Sequence, residues 1–201
     1  MGGLRRVLEK LSLLGSGPRV VTERLVLRPP KLSDWEAWAE LRSDSRDFLV
    51  PWEPIWTIDS LSKANFRARL RRYAREVKDD LGQAFFIFNQ ENHDLIGGIT
   101  LGNIRRGVAQ TGTLGYWTGQ RHARQGYMYE ALCGLIPALF DEFGLRRVEA
   151  ACLPSNIPSS RLLEKVGFTK EGLAREYLCI NGVWHDHLLY AILNSDPVPP
   201  K

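Results

Sequence analysis

Apolar positions change period repeatedly along the chain, and each change marks a predicted element. Leu4, Val7, Leu8, Leu11 and Leu14 fall at helical spacing with Arg5, Arg6, Glu9 and Lys10 between them, and Gly15-Ser16-Gly17-Pro18 ends the pattern. This predicts an amphipathic appendage over 1–18, which suits a helix laid on its own domain, a membrane-surface helix or an oligomer clasp. "VVTERLVLRPP", 20–30, alternates apolar and polar residues, so it reads as a first strand stopped at Pro29. Ser33, followed three residues later by Glu36, predicts a capping box for a helix over 34–43, with Trp35, Trp38, Ala39 and Leu41 mainly on one side. A loop over 44–59 contains "PWEPIW" and leads to a second helix, 60–79.

From 84 to 117 the period becomes two. "AFFIFNQ", "DLIGGITLGNI" and "QTGTLGYWTG" predict an antiparallel meander with turns at 91–93 and 105–109. Helices over 126–143 and 156–166 then alternate with "RRVEAACL", a strand from Phe168, and a closing strand "VWHDHLLYAIL". Three strands, alternating helix and strand, then a final strand specify a mixed α/β domain over 19–196, without internal repeat or linker, and a loose tail at 197–201.

Composition narrows the class. A chain of 201 residues with 44% hydrophobic and 25% charged residues is expected to be one soluble, packed domain. A net charge of +4 permits an anionic ligand without requiring one. The helix at 60–79 carries Lys63, Arg67, Arg69, Arg71, Arg72 and Arg75, read as a solvated face because few aromatic residues are interleaved for base stacking. Three cysteines, Cys133, Cys152 and Cys179, are odd in number and lie among apolar neighbours, which predicts reduced core residues and a cytoplasmic protein. No apolar run is long enough to span a bilayer, and the start of the chain lacks a signal-peptide pattern. His185 and His187 share a strand face without a third ligand, so no metal is expected.

Two stretches carry candidate chemistry. In "RHARQGYM", 121–128, a strand ends near Trp117 and a helix starts near Gly126, which places unpaired N–H groups at the positive end of a helix dipole. Arg121 and Arg124 add charge, and Gly126 admits close approach, so the turn fits a pyrophosphate. A plain helix start with solvated arginines fits the same residue types. Neither a P-loop pattern nor G-x-G-x-x-G follows any predicted strand. In "PSNIPSSRLLEKVGF", 154–168, Asn156 and Ser159 are three apart on the first turn of a helix. They can cap it or address one ligand at the mouth of the sheet.

The "QGYM" turn and the downstream N-x-x-S-x-x-L-L-x-K-x-G-F stretch resemble the GNAT superfamily of acyl-CoA-dependent N-acetyltransferases. "FLVPWEP", "LGYWTGQ", "GYMYEAL" and "INGVWHDH" are most similar to the RimJ-type enzymes that acetylate the N-terminal alanine of a ribosomal protein. The superfamily turn has Gln or Arg, two residues, Gly, one residue, then Gly or Ala. Ala123, Gly126 and Met128 occupy those places here, so only the central glycine matches. The resemblance implies a central, mostly antiparallel mixed sheet of about seven strands, splayed at the cofactor site and flanked by helices.

It also implies acetyl-CoA as cosubstrate, no metal, and direct attack of an amine without an acyl-enzyme. Coenzyme A would contact Tyr116, Trp117, Thr118, Arg121, Arg124, Gln125, Gly126, Tyr127, Met128, Asn156 and Ser159. Ser159 would protonate the thiolate, Asn156 would orient the pantetheine arm, and strand N–H groups from Tyr116 to Thr118 would receive the oxyanion. Glu53 is the first candidate base, although it equally suits bracing its loop; Glu176 and Tyr177 are next, and Trp52 and Trp56 would frame the acceptor groove. The expected acceptor is the N-terminal alanine or serine of a ribosomal protein. The alternatives are a small amine such as an aminoglycoside or polyamine, or a silent acyl-CoA-binding, ribosome-associated module. No direct DNA binding is expected, and either a monomer or a homodimer is open.

Overall fold

The computed structural model describes residues 18–197, so the expected N-terminal appendage and C-terminal tail fall almost wholly outside the described residues. Eight strands of the described residues form one sheet: β1 (Val20–Val21), β2 (Leu25–Arg28), β3 (Gln83–Asn89), β4 (Leu95–Arg105), β5 (Thr111–Thr118), β6 (Arg147–Cys152), β7 (Thr169–Ile180) and β8 (Val183–Leu193). Their spatial order is β1-β2-β3-β4-β5-β6-β8-β7. Every neighbouring pair is antiparallel except β5 and β6. Among the described residues five helices flank the sheet: α1 (Trp35–Asp44), α2 (Arg46–Leu49), α3 (Lys63–Lys78), α4 (Tyr127–Asp141) and α5 (Ile157–Val166).

Both sheet faces are covered, which explains why β3 reads as an unbroken apolar run. Phe85 and Ile87 pack into a core shared with Leu132, Leu135 and Ile136 of α4 and Leu163 and Val166 of α5. Phe86 belongs to a second core under α1 and α3, with Trp38, Leu41 and Phe66.

Four expectations are corrected. The single first strand is two short ones, because Thr22 turns the chain: its N–H donates to the Leu25 carbonyl (2.9 Å) and its hydroxyl to Glu130 on α4 (2.6 Å). Val20 then pairs with Leu27 across the turn, and this raises the strand count from about seven to eight. Ser33 does not cap α1. It lies inside a 3-10 turn, Leu32–Asp34, where the Asp34 carboxylate accepts the Lys31 N–H (2.7 Å) and pairs with Arg28 (2.7 Å). A carboxylate held by an arginine outcompetes a hydroxyl for this corner. Cys133 and Cys152 are buried as expected, but Cys179 is exposed, because β7 is the outermost strand and most of its side chains face solvent. The expected loop 44–59 also contains α2 and a 3-10 turn, Val50–Trp52.

Candidate active site

The parallel pair creates an opening. β5 and β6 register only from Thr111↔Arg147 to Leu114↔Ala150, while β5 stays paired with β4 as far as Gly97↔Thr118. Gly115 to Thr118 therefore form a strand bonded on one side and free on the other, so backbone groups along that edge need a partner. Across the gap, Asn156 caps α5: its side-chain carbonyl accepts the Ser159 N–H at 3.2 Å. That leaves the Ser159 hydroxyl available, and it lies 2.8 Å from the Tyr116 hydroxyl. The hydroxyl pair bridges the splay between a strand and a helix 43 residues apart. Burial pushes the Tyr116 phenol well above its ordinary value, against the opposing hydrogen bond from Ser159, so the phenol remains a proton donor throughout the physiological range. Burial also pushes up the Cys152 thiol at the end of β6, which argues against a thiolate nucleophile there.

The second part of the site is the turn into α4. Gly126 is the N-cap, with φ +79°, and Arg124 is also left-handed at +59°. The N–H groups of Arg124, Gln125 and Gly126 have no acceptor among the described residues, and the first helical turn adds further free donors. The turn is pinned from below. Arg24 donates to the Gln125 carbonyl (3.2 Å), pairs with Glu130 (2.6 Å) and lies over the Tyr127 ring (4.6 Å). Partial burial pulls Glu130 upward, but hydrogen bonds from Thr22 and Arg24 outweigh it and hold the carboxyl below its usual range. Gln125 donates to the Arg121 carbonyl (2.8 Å). The Arg121 guanidinium donates to His122 (3.2 Å), whose imidazole is held below its ordinary pKa by burial and by the Arg121 charge. Arg121, 3.9 Å from the Asp44 carboxylate, and Arg124 lie beside the unpaired amides, while Met128 is buried as core. A polar cavity of about 550 Å³, lined by Glu40, His93, Asp94, Arg121 and His122 among others, opens beside the turn.

Free amides, two arginines and a glycine at a helix N-terminus, next to a splayed parallel pair, make a receptacle for a long anionic ligand. Residues 24–169 match the acetyltransferase (GNAT) domain family. The chain belongs to the GNAT acetyltransferase family. A probable N-acetyltransferase of Bacillus subtilis, YjcK, is 38% identical over 172 residues, covering 86% of this chain and 95% of the relative. The [ribosomal protein uS5]-alanine N-acetyltransferase of Escherichia coli is 34% identical over 185 residues, covering 91% and 94%. Among solved structures, the ribosomal-protein-S5-alanine acetyltransferase of Vibrio fischeri superposes with a TM-score of 0.82 at 31% identity, covering 90% of this chain and 100% of that one. RimJ of Mycobacterium smegmatis, in complex with CoA-disulfide, gives 0.80 at 31% identity, covering 89% and 87%.

In this GNAT domain the expected base has a different setting from the hydroxyl pair. Glu53 follows the 3-10 turn after α2, and its carboxylate is gripped at both oxygens by Arg42 of α1, at 3.2 Å from Nη1 and in close contact with Nη2. Trp56 Nε1 donates to the same carboxylate at 2.8 Å. The Glu53 carbonyl accepts the Asn181 N–H (3.1 Å) from the β7–β8 hairpin tip. No hydrogen bond joins Glu53 to Tyr116 or Ser159, so the bracing role is the one its contacts fill. Glu176 and Tyr177 lie on exposed β7: Glu176 donates its N–H to Asp186 (2.9 Å), and the Tyr177 ring packs 5.7 Å from that of His187. Trp52 is half-buried on the turn before Glu53.

Sequence reasoning missed Arg42. Its guanidinium lies 4.4 Å from the Trp56 ring, 5.0 Å from Trp117 and 5.8 Å from Trp38. It therefore links the splayed end of β5 to the Glu53 loop. The available signal was its position four residues after Trp38, on the buried stripe of α1. Among the described residues no group of three or more His, Cys, Asp or Glu could hold a metal ion. No helix of the described residues is long and apolar enough to cross a membrane.

A glycine test probes the turn. Replacing Gly126 with Ala forces a Cβ into left-handed backbone, which costs about 1 kcal/mol. The added atom meets only Arg24, at 3.5 Å, so strain rather than collision sets the effect. A fall in Tm of about 2–4 °C is expected; an unchanged melt refutes the left-handed cap.

Proposed function

We propose that the protein transfers acetyl from acetyl-CoA to the N-terminal α-amine of a ribosomal protein whose first residue is alanine or serine. The observation that carries this reading is the hydroxyl pair of Tyr116 and Ser159 at the splay, in a family whose matched relatives include uS5-alanine acetyltransferases. The residues fit coenzyme A: the free N–H groups of 124–126 and the positive end of α4 suit its pyrophosphate, and the unpaired β5 edge suits the amides of a pantetheine arm. Acetyl-CoA brings an activated thioester.

The chain supplies the remaining requirements. N–H groups of the β5 edge between Tyr116 and Thr118 stabilise negative charge on the acetyl carbonyl oxygen. The amine nitrogen gives up one proton to solvent as the C–N bond forms. Ser159 gives its hydroxyl proton to the departing sulfur as the C–S bond breaks and regains one from solvent, while Tyr116, kept protonated, holds that hydroxyl in place. Asn156 fixes the first turn of α5 and thereby the position of Ser159. The loop of Glu53, braced by Arg42 and the β7–β8 tip, forms a wall of the acceptor groove. An α-amine, with a pKa of about 7.7–8.0, is about 10% neutral at pH 7 and needs no strong base, in keeping with a Glu53 already paired to an arginine.

A polycationic small molecule suits this wall less. The cavity of about 260 Å³ next to it has one arginine and one aspartate, Arg46 and Asp47, among apolar Val50, Pro51, Ile55 and Trp56, with no surplus of negative charge. The test is mass spectrometry of peptides incubated with protein and acetyl-CoA. One acetyl group is expected on free alanine or serine N-termini and none on N-blocked lysine peptides or an aminoglycoside. Acetylation of lysine or aminoglycoside alone would discard this acceptor, and no transfer to any amine would favour a silent binding module.

A further inference from the structure

The net positive charge of this protein comes from one helix. The 16 residues of α3 contain seven Lys or Arg and one Glu, a surplus of six, whereas the whole chain carries only +4. Without α3 the remainder would be net acidic. The helix is anchored by Phe66, fully buried against Trp38 and Phe86. Cations near that anchor are engaged: Arg69 lies over Trp38 (5.4 Å) and bonds Tyr73 (3.3 Å), Lys63 lies over Trp35 (4.9 Å), and Arg72 pairs with Glu76 (3.4 Å).

The other four are different. Arg67, Arg71, Arg75 and Lys78 are exposed, and their side chains make no ion pair or hydrogen bond among the described residues. Their spacing of four, four and three keeps them on one stripe of the helix. The stripe is about 16 Å long, with successive cations about 6 Å apart along the axis. Glu76 lies nine positions from Arg67, on the opposite side, and the small residues Ala64, Ala68 and Ala74 separate the cations. The helix dipole rewards cations in the last turn, which accounts for Arg75 and Lys78, but it gives no reason for Arg67 and Arg71 in the middle.

We infer that this stripe of α3 is a docking surface for the phosphodiester backbone of a structured RNA. Evenly spaced, unpaired cations without a bulky neighbour complement a polymer that presents one anion per unit. A membrane surface would call for large apolar side chains beside the cations, and a protein interface for a buried aromatic or aliphatic anchor; this stripe offers only alanine. The lack of aromatic residues, which at first counts against nucleic acid, excludes base stacking and leaves contact with phosphates. The choice of RNA over DNA rests on reading the acceptor as a ribosomal protein.

Fluorescence anisotropy with a fluorescein-labelled RNA hairpin, measured over a range of KCl concentrations, tests the inference. Four phosphate contacts give a log–log salt slope of about −3. The variant Arg67→Ala/Arg71→Ala/Arg75→Ala should flatten the slope to about −1 and weaken binding more than tenfold at low salt. Its acetylation of an alanine-terminated peptide should stay within twofold of the unmodified protein, which shows that it folds. An equal loss on replacing three exposed arginines elsewhere, Arg19, Arg161 and Arg175, would overturn the inference, because binding would then follow total charge. Polyglutamate competing as well as RNA, or a DNA duplex binding as tightly, would overturn the assignment to RNA. RNA binding by a protein that leaves the peptide unmodified would sink the acceptor reading and uphold the stripe.

Discussion

Replacing Ser159 with Ala should lower kcat for an alanine-terminated peptide about a hundredfold and leave the KM for acetyl-CoA within a factor of about two. A positioned general acid contributes about 10²–10⁴-fold. The low end applies because a thiol of pKa about 8.5 leaves tolerably well even as a thiolate. The backbone of Ser159 is held by Asn156, independently of its hydroxyl, so the alanine variant keeps the shape of α5. Tyr116→Phe should lose less, about fivefold, because one neutral hydrogen bond is worth about 1 kcal/mol and the serine hydroxyl survives. The double variant should resemble Ser159→Ala alone, since the tyrosine acts through the serine. The rate should rise through pH 8 as the α-amine deprotonates and then hold level to pH 10. The raised pKa of Tyr116 keeps its donor form intact below that point, and it is lost only as pH climbs through the raised value. Steady-state kinetics decides: a Ser159→Ala enzyme with more than half its kcat removes the proton-donor role, and a decline beginning at pH 9 removes the tyrosine.

How far the sequence discloses the site depends on whether the relevant contacts are local. The turn at 121–128 is legible because a glycine, a strand end and a helix start are adjacent in the chain, and Gly126 is indeed the left-handed cap. Asn156 and Ser159 are legible as a pair for the same reason, though not which atom of each does what: the amide caps, the hydroxyl is left over. The partner of that hydroxyl is not legible. Tyr116 is 43 residues away and is brought across by the point at which β5 and β6 part, a property of sheet registry that no periodicity records. The break between β1 and β2 is hidden likewise, since Thr22 turns the chain to reach Glu130, 108 residues on. Glu53 was visible as a carboxylate in a tryptophan-rich loop, but its role depends on a charge in α1. A reading that weighed Arg42 as an ion on an otherwise buried stripe would have asked what neutralises it.

Replacing Arg42 with Met should be the most destabilising change in the acceptor wall. The Arg42 side chain is 9% exposed and that of Glu53 21%. Removing the guanidinium leaves a largely buried carboxylate with Trp56 as its one remaining side-chain donor among the described residues. Breaking a buried pair costs about 3–5 kcal/mol, and the partial exposure of Glu53 places the loss at about 3 kcal/mol, a fall in Tm of about 6–12 °C. The methionine also abandons three indole faces, and Trp56 and Trp117 lose the group that holds the Glu53 loop against the end of β5. The KM for the peptide should therefore rise at least tenfold, with that for acetyl-CoA much less affected. Arg42→Met/Glu53→Gln should recover part of the stability, because the cost lies in the unpaired charge more than in the lost attraction. It should not recover the peptide KM, since the loop remains unbraced. The arginine is already imperfectly satisfied, with its Nε buried and without a partner, so stability alone is a poor account of why a cation rather than a packed apolar residue stands there. Thermal melts and peptide saturation curves on the two variants decide between the roles. A double variant as unstable as Arg42→Met excludes the unpaired charge as the cause, and an unchanged peptide KM in both excludes the bracing role.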